Sequence, residues 1–163
     1  MNKLKKILCF IYNRNSNSFL LLKHPKKWAK DSGLWFTVSG GVEGKETSED
    51  AVKREVLEET SLVIKELFYL NWASVYDCEY FKDDGKTGKV KKHCYERMYL
   101  AFVDSYKVKL NEEHINYRWV TLSELVKKIY WLSDKEELKN VLMKGIVKKK
   151  YFLKAKVELY GGS

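Results

Sequence analysis

The stretch from Gly40 to Leu62 most limits what this chain can fold into. It opens on the pair Gly40-Gly41 and leads into residues 48 to 60, where no Pro or Gly occurs and most side chains favour helix. Thr47 or Ser48 can cap that helix, and Glu49 and Asp50 in its first turn suit the positive end of the dipole. The apolar positions are Ala51, Val52, Val56, Leu62 and Val63. A core-facing stripe drawn through them at helical spacing also runs through 55 and 59, with 58 beside it. Those three positions hold glutamate. The helix therefore carries carboxylates where a packed helix carries aliphatics.

Like charges within one turn repel, and burying them without compensation is costly. A divalent cation removes the conflict. Carboxylate oxygens suit Mg²⁺, with Mn²⁺ able to substitute, and Mg²⁺ keeps several waters while taking phosphate oxygens from a substrate. Arg54 can orient one carboxylate through a two-pronged ion pair, and Glu46 is a suitable partner. A solvated surface helix can also be rich in glutamate. The glycine turn, the arginine and the inward placement argue against that reading here.

Together these residues resemble the Nudix box: Gly, five residues, Glu, seven residues, Arg-Glu, an aliphatic, one residue, Glu-Glu, one residue, Gly, an aliphatic. Gly40, Glu46, Arg54, Glu55, Val56, Glu58, Glu59 and Leu62 fall in register. The departure is Ser61, where the family has the Gly that ends the helix in a left-handed conformation. Serine there costs roughly 1 kcal/mol or shifts the cap.

The resemblance implies an α/β fold, an α/β/α sandwich around a central mixed sheet, over roughly residues 5 to 147. Strand pairs flanking one central helix, with helices near the end, suit the same layering. It also implies Mg²⁺-dependent hydrolysis of a nucleoside diphosphate linked to another group, by attack of a metal-activated water on phosphorus. Glu55, Glu58 and Glu59 would then ligate metal, joined by a backbone carbonyl at Ser39 or Gly40. Arg54 and Glu46 would orient them. In the family the general base is either a box glutamate, here Glu58, or a loop carboxylate, here Glu113 with Glu112 as competitor. Trp35 with Val38-Ser39-Gly40-Gly41-Val42-Glu43, and Glu113-His114 with Tyr117-Arg118-Trp119, are similar to the dihydroneopterin triphosphate pyrophosphohydrolases. The implied substrate is a small-molecule triphosphate on a flat purine or pteridine ring. Alternatives are a dinucleoside polyphosphate, or a non-catalytic module that binds nucleotide or RNA.

Around the box the chain reads as short strands. Residues 4 to 12 alternate and read as a strand, and after a polar turn Phe19 to His24 reads as the return strand. Lys23 faces the coming glycine loop and can contact phosphate. Trp35 can stack on a ring, and Gly40 and Gly41 let backbone approach phosphate closely. Val63 to Phe81 and Lys89 to Val103 read as strands about a hairpin turn at Asp83 to Gly88. Ile115 to Val120 reads as a strand, with Thr121 to Glu124 as a capping box. His114 reads as a strand-edge residue. Residues 134 to 147 form an amphipathic helix capped by Ser133 or Asp134, and the lysine-rich tail 148–163 is a strand or a mobile arm.

The chain is expected to form one domain, 1–163. With 14% aromatic residues it is globular, and no apolar run approaches the ~20 residues of a membrane helix. The net charge of +9 can steer a polyphosphate, but only four of 31 basic residues are arginine, so specific nucleic-acid binding is not expected. Cys9, Cys78 and Cys94 lack metal-site spacing. Their odd number suggests reduced thiols in a cytoplasmic protein; a monomer or homodimer is expected.

Overall fold

The computed structural model describes residues 3–25, 34–81, 89–131 and 133–159. A seven-stranded mixed sheet is built on β1 (Lys3–Asn13). One edge of β1 pairs in parallel with β6 (Lys89–Val103), which pairs antiparallel with β5 (Glu66–Phe81). The other edge is shared. Near the turn, β1 meets β2 (Ser18–Lys23) only through Tyr12 opposite Phe19 and Asn13 opposite Ser18. The two strands then diverge, and residues 35 to 41 fill the fork. Trp35–Phe36 (β3) pair with β2, and Val38–Gly41 (β4) pair with β1. The buried Thr37 hydroxyl donates to the Cys9 carbonyl at the crossover. β7 (Asn116–Val120) pairs with the far edge of β2.

Strand alternation makes this sheet two-faced. Ile7, Cys9 and Ile11 face one way with Leu20, Leu22 and Tyr99, and pack on Ala51, Val52 and Val56 of α1 (Ser48–Thr60). Leu8, Phe10 and Tyr12 face the other way with Phe19, Leu21 and Leu100, against Leu125 of α2 (Leu122–Lys128) and Leu138 and Leu142 of α3 (Lys135–Leu159). The result is the α/β/α arrangement, with a core on each face.

Local chemistry explains the helix ends. Thr47 caps α1 in a reciprocal box with Asp50, each side chain accepting the other residue's backbone N–H. Thr121 caps α2 by accepting from the Glu124 N–H, and its own hydroxyl donates to the Glu124 carboxylate. Asp134 accepts from the Glu136 and Glu137 N–H groups at the start of α3.

Two expectations change. The tail is neither strand nor arm as far as Leu159: α3 continues through it, because residues 148 to 159 contain no Pro or Gly to stop a helix already under way. Cys94, expected as a reduced thiol, is disulfide-bonded. The antiparallel β5–β6 register sets Tyr76 opposite it and Cys78 two residues along the same strand. Cys9 is free and buried. The Asp83–Gly88 turn lies outside the described residues, as does most of the loop between His24 and Gly33. Among the described residues no helix is long and apolar enough to cross a membrane.

Candidate active site

α1 lies against β4, and the box side chains on its inner face meet the glycine strand. Gly40 shows why glycine is needed. A Cβ built there would sit 2.2 Å from Glu55 Oε1 and 2.3 Å from its Cδ. Any side chain would therefore push the Glu55 carboxyl out of its place.

Arg54 ties the parts together. Its Nε donates to Glu46 Oε2 at 2.8 Å and its Nη2 to Glu46 Oε1 at 2.9 Å, forming a two-pronged pair. Nη2 also donates to the Gly41 carbonyl at 2.9 Å. Nη1 donates to Glu55 Oε1 at 2.9 Å and Glu58 Oε2 at 3.3 Å. One guanidinium thus fixes the helix, the loop before it and the glycine strand. Those bonds from Arg54, helped by the Glu43 N–H, hold the Glu46 carboxyl down to about 2. The pairing of Glu46 with Arg54 is as expected from the sequence.

The three box carboxylates have different surroundings. Glu58 is 53% exposed. Glu55 is buried, and burial outweighs Arg54 to raise its pKa. Glu59 is 2% exposed, and its Oε2 has no hydrogen-bond partner. Burial first, then repulsion from Glu113 and Glu55, pushes its pKa up to about 10. An orphaned, buried carboxyl oxygen beside two further carboxylates fits a divalent cation. The acidic group extends to the loop before β7. Carboxylate oxygens of Glu59 and Glu113 and a ring nitrogen of His114 lie within 4.8 Å of one another.

Of these groups Glu59 and Glu113 line a cleft of ≈ 780 Å³, whereas Glu55 and Glu58, expected as metal ligands, are not in its lining. Its polar lining comes from Lys6, Ser39, Gly40, Gly41, Glu59, Glu112 and Glu113, and the remainder from His24, Pro25, Leu34, Phe36 and Tyr130. Two expected substrate contacts are not in this lining. Trp35 and Lys23 stand directly opposite each other across β2–β3, so they share a face. The Lys23 ammonium lies 5.6 Å from the Trp35 ring centre, and Trp35 packs against the α2–α3 core. Phe36, one residue on, and Lys6 are in the lining, although Phe36 also packs on the α2–α3 core.

His114 is a second correction. It is no strand-edge residue: it is 4% exposed, with Nε2 3.6 Å from Glu59 Oε1 and its ring 4.5 Å from that of His24. Burial, reinforced by His24, lowers its pKa to about 4. Asn111 positions this loop by accepting the Glu113 N–H, and the Ile115 N–H donates to the Lys23 carbonyl. The adjacency Glu113-His114 was visible in the sequence, but no local pattern points the imidazole at Glu59.

Comparison with known proteins agrees with this geometry. Residues 3–141 match the NUDIX domain. The chain is 26% identical over 147 residues to the dihydroneopterin triphosphate diphosphatase of Haemophilus influenzae, covering 85% of this chain and 87% of that one. It is 30% identical over 121 residues to the nucleoside triphosphatase NudI of Escherichia coli, covering 69% of this chain and 79% of that one. The structure of the E. coli dihydroneopterin triphosphate pyrophosphohydrolase superposes with a TM-score of 0.63 at 21% identity, covering 86% and 95% of the two chains. With the fold, the glutamate helix and the matched span in agreement, this chain belongs to the Nudix family of hydrolases.

Proposed function

We propose that this chain is a Mg²⁺-dependent pyrophosphohydrolase that cleaves a phosphoric anhydride bond in a nucleoside or pterin triphosphate. The observation that carries the reading is Glu59: a buried carboxyl with an orphaned oxygen, facing the cleft beside the glycine strand. Glu55, Glu58 and Glu59 would hold the cation, with the Ser39 or Gly40 carbonyl as a further oxygen. When bound, Mg²⁺ offsets charge on the phosphate oxygens and acidifies a coordinated water.

The chain's own residues do the rest. Arg54 and Glu46 keep the carboxylates in one orientation. Lys6 and the Gly40–Gly41 backbone receive the phosphates in the cleft. Phe36, Tyr130 and Leu34 offer an apolar wall to the ring. Glu58, exposed and held by Arg54, would take the proton of the attacking water; Glu113, in the cleft lining, is the other base candidate. The relatives' named substrates, a pterin triphosphate and nucleoside triphosphates, suit this division of the cleft. We read the whole chain, 1–163, as one domain; the disulfide at Cys94 removes the thiol argument for a cytoplasmic location.

The test is release of pyrophosphate and orthophosphate over a panel of nucleoside triphosphates, dihydroneopterin triphosphate and dinucleoside polyphosphates, with and without Mg²⁺. A general base contributes about 10²–10⁴-fold. Glu58→Gln is expected to abolish turnover while the protein keeps its melting temperature. Normal turnover by that variant moves the base role to Glu113. No turnover of any compound by the wild type leaves a nucleotide-binding module.

A further inference from the structure

His114 plays no part in the proposed hydrolysis. Its side chain is wholly buried, and neither ring nitrogen has a hydrogen-bond partner. A buried imidazole left without partners loses its hydration for no return. Packing alone would favour an apolar residue there. Glu59 is too far for a good hydrogen bond at 3.6 Å, and its own Oε2 is orphaned as well. One ring nitrogen of His114 and a carboxylate oxygen of Glu59, both on side chains with unmatched buried polar atoms, thus face one small space, with the Glu113 carboxylate beside it.

We propose that His114 is a nitrogen ligand to a divalent cation held between Glu59 and Glu113, giving the cleft a mixed imidazole–carboxylate position. The inference rests on the proposed role of Glu59 as a metal ligand and adds the ligand type. The spacing supports it. Around an octahedral cation with bonds of about 2.1 Å, opposite ligand atoms lie roughly 4.2 Å apart. The three atoms here lie within 4.8 Å of one another, so small side-chain movements suffice. The loop is held to receive such an ion, because Asn111 accepts the Glu113 N–H and Ile115 donates to Lys23 on β2.

The chemical consequence is selectivity. Carboxylates and waters alone suit Mg²⁺, whereas an imidazole shifts preference toward transition metals, in the order Mn²⁺ < Fe²⁺ < Co²⁺. At this position the protein binds Mn²⁺ and Co²⁺ more tightly than Mg²⁺. A box-glutamate position such as that of Glu55 and Glu58, without nitrogen, does not discriminate in this way.

Mn²⁺ alone, added to the full chain and followed by electron paramagnetic resonance, tests this without turnover. Echo-modulation spectra should show the nitrogen coupling of a directly bound imidazole, and labelling histidine with ¹⁵N should replace that coupling by the ¹⁵N pattern. The coupling should survive His24→Gln, which removes the neighbouring ring, and His93→Gln, and vanish in His114→Gln with Mn²⁺ affinity falling at least about tenfold. The labelled wild type and the His24 variant report even where His114→Gln does not fold. Tight Mn²⁺ binding with no nitrogen coupling, or coupling that disappears in His24→Gln alone, overturns the inference and leaves the carboxylate site standing. Absence of Mn²⁺ binding by the wild type overturns both.

Discussion

Gly40 and Arg54 show how narrowly single residues set this site. Arg54 uses all three guanidinium nitrogens on four different groups. A lysine has a point charge in place of that planar fork and cannot span them. Gly40 is constrained from the opposite side, by what it lacks. In Gly40→Ala the new methyl must displace Glu55, and the atoms in its way belong to a flexible side chain, so the fold can absorb it. Turnover is expected to fall at least about 100-fold, as for misplaced catalytic groups, while the thermal transition moves little. Parallel activity and melting measurements on the purified variant check this. A large loss of stability with activity intact would show that Glu55 has room elsewhere. The sequence made these residues legible because their spacing encodes the contacts: Glu46, Arg54 and Glu55 lie on one helix and the loop before it. His114 was not legible, because its partner Glu59 is brought to it by the pairing of β7 with β2.

At the scale of elements, α1 ends on an unusual residue. Ser61 takes the left-handed conformation, with φ 62°, and its N–H donates to the Leu57 carbonyl. The cap has not shifted; serine occupies the strained position that glycine fills in the family pattern. Its hydroxyl recovers part of the cost by donating to the exposed Lys109 carbonyl at 3.2 Å. Ser61→Gly is expected to stabilise the fold by up to about 1 kcal/mol, and Ser61→Val to destabilise it, since a β-branched residue disfavours positive φ. Urea unfolding at constant m-value measures both. Element types were largely readable from alternation and capping, whereas faces on the shortest strands were not. β3 has two residues, too few for a period, so only its pairing with Leu22 and Lys23 shows that both rings pack on the α2–α3 core while Phe36, not Trp35, also lines the cleft. The helical tail was missed for a different reason. Its lysines read as solvated arm, but residue by residue they favour continuing α3.

For the whole molecule, the buried acids link stability to pH. Glu59 has a raised folded pKa, so the metal-free native state holds a proton that the unfolded chain has released. Its contribution is fully present below about 4.5 and is lost as pH rises toward about 10. His114 has a lowered folded pKa, so its contribution is present above about 6.5 and is lost as pH falls toward about 4. The two oppose each other between about 4.5 and 6.5, and above that Glu59 acts alone. In the presence of a chelator the melting temperature is therefore expected to fall from pH 7 to pH 9. Added Mg²⁺ should raise it most at the alkaline end, where no proton competes for Glu59. A metal-free melting temperature that rises over that range would contradict the burial of Glu59 as an acid.

The fork between β1 and β2 has a last consequence, for how such an enzyme can diversify. The glycine strand hangs from β1, whereas Phe36 hangs from β2, so these two parts of the cleft lining are anchored to different strands. Changes at Leu34, Phe36 or Tyr130 leave the backbone pairing of Gly40 and Gly41 untouched. The same bond-breaking apparatus can accordingly be inherited intact while mutation explores new leaving groups at the other wall.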